Sequence, residues 1–160
     1  MKLYIRQKVF SWKGKFFVKD ENGKNRYYAE GEFLSLGKKL HIYDMNRSEV
    51  AFVYQKVVAI LPRFFITVGG NQVAEVIKEF GLLRQRYHVD GLDWSVNGDF
   101  ATHDYQIFSG NKLVVSVHKE RMKWGDTLEI DIADDENEIT ALAIVLTIDE
   151  VMDSRAVESK

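Results

Sequence analysis

The stretch from Ile139 to Ile148 is apolar around almost its whole circumference, and it follows the acidic residues Asp134, Asp135, Glu136 and Glu138. Negative side chains favour the positive end of a helix, and Asp135 followed three residues later by Glu138 fits a capping-box start. A strand is the competing reading, because Ile144, Val145 and Ile148 are β-branched. The acidic entry and the helix-forming Ala141 and Ala143 decide for a helix over about 137–152, with Val151 and Met152 extending its buried part. Residues 153–160 read as a frayed polar tail. A helix that is apolar on every face must be surrounded. About eleven apolar residues are too few to span a bilayer, which takes ~20. The rest of the chain therefore has to enclose this helix.

What precedes it reads as short strands. Alternation of period two appears in Leu3-Tyr4-Ile5-Arg6, in Leu40-His41-Ile42-Tyr43 and in Leu128-Glu129-Ile130-Asp131-Ile132. Asn22-Gly23, Gly69-Gly70-Asn71, Asn97-Gly98 and Gly110-Asn111 supply residues that accept the positive φ of tight hairpins. Their spacing leaves no room for crossover helices, so the sheet is antiparallel. About twelve strands fit between Lys2 and Ala133, and Pro62, which has no ladder donor, belongs in a connection or at a strand start. The predicted fold is mainly β: a closed antiparallel barrel of about twelve strands around a central hydrophobic C-terminal helix. It takes up all 160 residues as one domain.

One internal similarity supports repeated hairpins. Phe64-Phe65-Ile66-Thr67-Val68-Gly69 with Val73, Val76 and Lys78 matches Tyr105-Gln106-Ile107-Phe108-Ser109-Gly110 with Val114, Val117 and Lys119, at a constant offset of 41 residues. Leu40 to Lys56 is a looser third copy. A period near 41 also occurs in propeller blades, but 160 residues hold too few blades.

Chemistry-bearing motifs are sparse. With no cysteine there is no disulfide framework, thiolate zinc site or cysteine nucleophile. No nucleophile elbow or phosphate-binding loop occurs, and no cofactor is implied. His41, His88, His103 and His118 show no metal-ligand spacing, so no metal is expected. His103-Asp104 has the residue types of a base and its orienting carboxylate, but neighbours on a strand face opposite ways. The run Asp131 to Glu138 lacks the oxygen ligand and glycine at the third and sixth positions of a calcium loop and reads as helix capping. The opening residues lack the apolar core of a signal peptide. With no span either, the expectation is a cytoplasmic protein that touches membranes peripherally.

The formal charge of −2 excludes a strongly basic nucleic-acid binder, yet it hides an asymmetry. Residues 1–63 hold 13 basic and 6 acidic side chains, a net of +7, and residues 64–160 a net of −9. Trp12-Lys13-Gly14-Lys15, Gly37-Lys38-Lys39 and Arg121, Lys123 and Trp124 before Gly125 read as turns that pair cations with an interfacial aromatic. Such turns suit anionic headgroups, with the ring at headgroup level and the ammonium at phosphate. The competing reading is that the tryptophans cap the barrel and the lysines solubilise it.

Three stretches in the first half carry a family resemblance: Phe16-Phe17-Val18-Lys19-Asp20-Glu21-Asn22-Gly23-Lys24, Tyr28-Ala29-Glu30-Gly31-Glu32-Phe33 and Leu36-Gly37-Lys38-Lys39-Leu40-His41-Ile42-Tyr43-Asp44. Trp94-Ser95-Val96-Asn97-Gly98-Asp99-Phe100 and Tyr105-Gln106-Ile107 carry it in the second half. Together they resemble the LURP-one-related family, which belongs with tubby C-terminal domains and phospholipid scramblases. The resemblance covers essentially the whole chain and implies a twelve-stranded barrel around one hydrophobic helix. No tubby-type lipid-binding motif aligns residue by residue, so no binding residue follows from it.

The leading functional expectation is a non-enzymatic binding module for anionic phospholipid or a membrane-associated partner. Its candidate residues are Trp12, Lys13, Lys15, Lys38, Lys39, Arg121, Lys123 and Trp124. The alternatives are a hydrolase using Asp90, Asp93 or Asp104, or a purely structural or protein-interaction domain. A lipocalin-like carrier needs an empty lumen, which the apolar helix denies.

Overall fold

The alternating stretches pair into a closed antiparallel ring in a computed structural model, which describes residues 1–6, 12–32, 36–79, 86–99, 102–123 and 125–158. Among these residues there are twelve strands and one helix. The strands are β1 (Lys2–Arg6), β2 (Lys15–Lys19), β3 (Asn25–Gly31), β4 (Lys39–Asp44), β5 (Glu49–Gln55) and β6 (Arg63–Val68). They continue as β7 (Asn71–Glu79), β8 (Arg86–Asp90), β9 (Trp94–Asp99), β10 (Asp104–Ser109), β11 (Lys112–Met122) and β12 (Gly125–Ile132), followed by helix α1 (Glu138–Glu158). Each strand pairs with its sequence neighbour, and β1 closes the ring on β12 from Lys2–Asp131 to Arg6–Thr127. On its other side β1 meets β2 through the single described pairing Tyr4–Lys19.

The two similar segments are the β6–β7 and β10–β11 hairpins. They share an irregularity: the register shifts between Ile66 and Thr67 in one and between Ile107 and Phe108 in the other. β2 and β4 shift likewise, at Val18/Lys19 and Ile42/Tyr43. A bulge placed just before each turn increases local twist, which a closing barrel needs. Pro62 lies between β5 and β6, where its missing N–H removes no ladder bond.

Period-two patterning now has a direction. Leu3 and Ile5, Phe16 and Val18, Leu40 and Ile42, Phe64 and Ile66, Ile107 and Val117 all point inward and are buried. They close on α1, where Ala141 to Leu146 and Ile148 have no exposed surface on any side. The helix thus fills the lumen. Its buried Thr147 hydroxyl donates to the Ala143 carbonyl at 2.7 Å, which spares the core an unpaired polar group.

Two local details differ from the sequence reading. The cap is not the Asp135/Glu138 box: the Asn137 side chain accepts from the Thr140 N–H at 2.9 Å, one turn into the helix. Asp135 instead pairs with Lys112, and Glu138 turns to Arg26. The helix also runs past 152 to Glu158, because neither glycine nor proline interrupts the segment taken as a tail. Trp124, Phe33 and Phe100 lie outside the described residues.

Candidate functional site

Because successive strands alternate in direction, their connections alternate between the two ends of the barrel. The helix distinguishes those ends. At its start, Glu138 bonds Arg26 and Tyr27 at the beginning of β3, and this end is called the entry rim. At its far end Glu150 bonds Lys38 before β4, and this end is called the exit rim. The β11–β12, β1–β2 and β3–β4 connections all open on the exit rim, and they are consecutive around the ring. The three basic turns therefore share one arc of one rim.

Within that arc the predicted residues take different roles. Trp12 is not an exposed interfacial ring. It is 4% exposed, packed edge-on against Phe64 across the barrel mouth with ring centroids 5.8 Å apart. The chain there folds tightly over β3: a Cβ placed on Gly31 would fall 1.4 Å from the Trp12 carbonyl oxygen. Lys38 is tied to Glu150 at 2.8 Å and Lys39 to Glu32 at 3.6 Å. Lys15 lies with its ammonium 4.2 Å from the centre of the Tyr28 ring and 5.4 Å from that of Phe17. Lys13, Arg121 and Lys123 are exposed.

The charge asymmetry between sequence halves becomes an asymmetry between ends. Among the described connecting residues, the exit rim carries Lys13, Lys38, Lys56 and Lys123 against Glu32. The entry rim carries Asp20, Glu21, Asp93, Asp134, Asp135 and Glu136 against Lys24 and Arg47. In these connections the charge is polarised along the barrel axis, although Glu150 and Asp104 also lie at the lysine end.

Beside the basic arc lies a feature that the sequence reading passed over. The β5–β6 connection exposes Val57, Val58 and Ile60, the last at 96%, and Leu36 on the adjoining β3–β4 connection is 82% exposed. The two connections touch: a Cβ on Gly37 would sit 3.2 Å from a Val57 methyl. Lys56 N–H donates to the Arg63 carbonyl at 2.9 Å and closes the neck of the loop. A non-alternating apolar run held between Lys56 and Pro62-Arg63 was the available signal.

On the outer wall a chain of rings crosses five strands, from Phe17 through Tyr28, Tyr43, His41, Phe52 and Tyr54 to Phe65, with stacked contacts as close as 4.6 Å. His41 sits within it, its two ring nitrogens 2.8 Å from Glu32 and 2.9 Å from Glu49. Burial lowers its pKa, but the two carboxylates outweigh this and hold it above the usual histidine value. Also on the outer wall, His118 Nε2 lies near Glu120 at 3.1 Å and Glu129 at 3.3 Å, but Lys2 already holds the same Glu129 oxygen at 3.1 Å.

The carboxylates considered for hydrolysis are not assembled. Asp90 and Asp93 are exposed at the entry rim, while exposed Asp104 begins β10 at the exit rim. His103 does not use Asp104 either: its Nδ1 lies 3.6 Å from Asp149 of α1.

A model of the family described as LURP-one-related matches residues 1–149, all twelve strands and the helix as far as Asp149. The chain belongs to the LURP-one-related family. "Uncharacterized protein YxjI" of Bacillus subtilis (strain 168) is 32% identical over 152 residues, which are 95% of this chain and 94% of that protein. A LURP-one-related barrel of this kind also resembles an X-ray structure of a protein from Arabidopsis thaliana, with a TM-score of 0.67, at 15% identity. The match covers 94% of this chain and 90% of the plant one. At that identity the likeness speaks for the fold alone: a closed twelve-stranded barrel around one helix, as the resemblance implied.

Proposed function

We propose that this chain is a non-enzymatic binding module that presents its exit rim to an anionic phospholipid surface. The observation that carries the reading is the axial polarity: lysines gather at one rim and carboxylates at the other. An anionic surface orients such a molecule with the lysine rim inward, and each cation brought near it adds ~1 kcal/mol, weakening as salt screens the field. A lumen filled by α1, and the separation of Asp90 and Asp93 from Asp104, favour binding over hydrolysis. No helix among the described residues is long and apolar enough to cross a membrane, and the contact proposed is a peripheral one. The anionic cytoplasmic leaflet is the natural surface for it.

Co-sedimentation with phosphatidylglycerol-containing vesicles and with pure phosphatidylcholine vesicles, repeated across salt, tests the reading. The expected result is binding to the anionic vesicles alone, falling as salt rises. Equal and negligible binding to both would overturn it.

A further inference from the structure

We infer that the β5–β6 loop is a membrane wedge: Val57, Val58 and Ile60 enter the hydrocarbon of an anionic bilayer while the surrounding lysines stay at the phosphates. The inference rests on the proposed docking of the exit rim and specifies its partner as a bilayer rather than a soluble anion.

Scattered exposed apolar side chains need no explanation, but a contiguous apolar tip does. Here three large aliphatic side chains crowd one short loop, and Leu36 joins them from the next connection. The backbone bond between Lys56 and Arg63 pinches the loop at its base. Val58 and Ile60, at 84% and 96% exposure, project into solvent rather than packing back on the rim. A groove would suit a peptide or helix, whereas a projecting apolar tip suits a soft medium that closes around it. Charge complementarity selects the medium. Lys56 follows β5 directly into the loop and is exposed, while Lys38 and Lys39, which border its neighbour, are paired with Glu150 and Glu32. A cation at the neck of an apolar tip matches the depth order of a bilayer, with phosphate outside and acyl chain inside. Among the described residues the opposite rim has no such loop: its exposed apolar side chains, Met1, Met45 and Leu113, lie on three separate segments, before β1, in the turn after Asp44 and at the start of β11.

Two forces then act at different depths. The lysines supply the salt-sensitive attraction and the loop supplies a salt-resistant one. The double variant Val58→Ser/Ile60→Ser removes apolar surface without changing charge. Both positions are exposed, so its melting curve should match the parent. Its partition onto phosphatidylglycerol/phosphatidylcholine vesicles should drop about tenfold or more per side chain removed, and the residue of binding that survives high salt should disappear. Met45→Ser, at the other end, should bind as the parent does. As a second readout, an Ile60→Trp variant should shift its fluorescence to the blue with vesicles, and brominated acyl chains should quench it.

Unchanged binding of the double variant, or an unshifted Ile60→Trp emission on vesicles that do bind the protein, overturns the wedge and leaves the electrostatic reading standing. Absence of parent binding to any vesicle removes both. A concentration-dependent dimer in sedimentation velocity that the double variant abolishes would also overturn the wedge and assign the loop to a second copy of the chain.

Discussion

The Tyr105 hydroxyl at the start of β10 donates to Oδ1 of Asp149 in α1 at 3.1 Å, with both groups buried between wall and helix. His103 Nδ1 approaches the same oxygen to 3.6 Å from a left-handed backbone at φ 56°. Burial pushes the Asp149 carboxyl above its ordinary value, with His103 and Tyr105 opposing the rise, and it pushes the Tyr105 phenol well up. This is the polar clamp that holds the C-terminal half of the helix in register with the barrel.

Asp149→Asn keeps an acceptor for Tyr105 and removes the buried charge. A carboxyl whose folded pKa lies above its unfolded value of 3.8 contributes stability at low pH, and that stability is lost as pH rises through the folded value. The melting temperature of Asp149→Asn relative to the parent should therefore climb as pH rises from about 4 to about 8. A difference that shrinks over this range contradicts the assignment. Tyr105→Phe, which leaves Asp149 short of a donor, should cost ~1–3 kcal/mol.

Gly31→Ala places a methyl 1.4 Å from the Trp12 carbonyl oxygen, a backbone atom that no rotamer can move aside. Chemical denaturation should show a loss of roughly 3 kcal/mol or more. Gly14→Ala, whose Cβ would meet nothing within 4 Å, should change stability little. If the two variants behave alike, the crossing of Trp12 over β3 is not as described.

The pairing of His41 with Glu32 and Glu49 should stabilise the barrel within a pH window. Hydrogen bonding to His41 lowers Glu32, whose contribution is present above its unfolded value of 4.5 and lost as pH falls through the folded one. The raised His41 contributes below its unfolded value of 6.5, and that contribution is lost as pH rises through the folded one. His41→Phe retains a ring against Phe52 and removes both pairings. Thermal melts of parent and variant should differ most between the two values. A gap that keeps widening at alkaline pH argues against the pairing.

Leu146 has no exposed surface inside the ring, so Leu146→Ala should cost ~2–5 kcal/mol in urea denaturation. Truncation after Asp134 removes the whole helix and should give an aggregating chain. Recovery of a soluble, cooperatively melting barrel would show that the helix is not core.

Periodicity made the architecture legible. Leu40 and Ile42 or Leu128 and Ile130 declare an inward face, and the uniform apolarity from Ile139 to Ile148 declares a helix with no outward one. The interactions between distant segments were less legible. Trp12 looked like an exposed turn residue because Trp-Lys-Gly-Lys reads the same whether it points to water or folds over the barrel mouth; Phe64 and Gly31, which decide the matter, are far along the chain. Asp149 is hidden in an apolar run, and nothing local marks Tyr105 and His103 as its partners. The charge split between halves was real, but strand alternation sends each half to both ends, so only the connectivity turns it into a polarity between rims.

The helix that occupies the lumen follows all twelve strands in the chain. During synthesis the wall is made first and the material it must wrap arrives last. Until α1 is available, every inward face from Leu3 to Ile132 lacks its partner, and the ring has no reason to shut. Closing the ring joins the first strand to the twelfth, segments as distant as Lys2 and Asp131. Pairings of such long sequence separation form slowly. The nascent chain thus carries unpartnered apolar surface at the stage when most of that surface has been made.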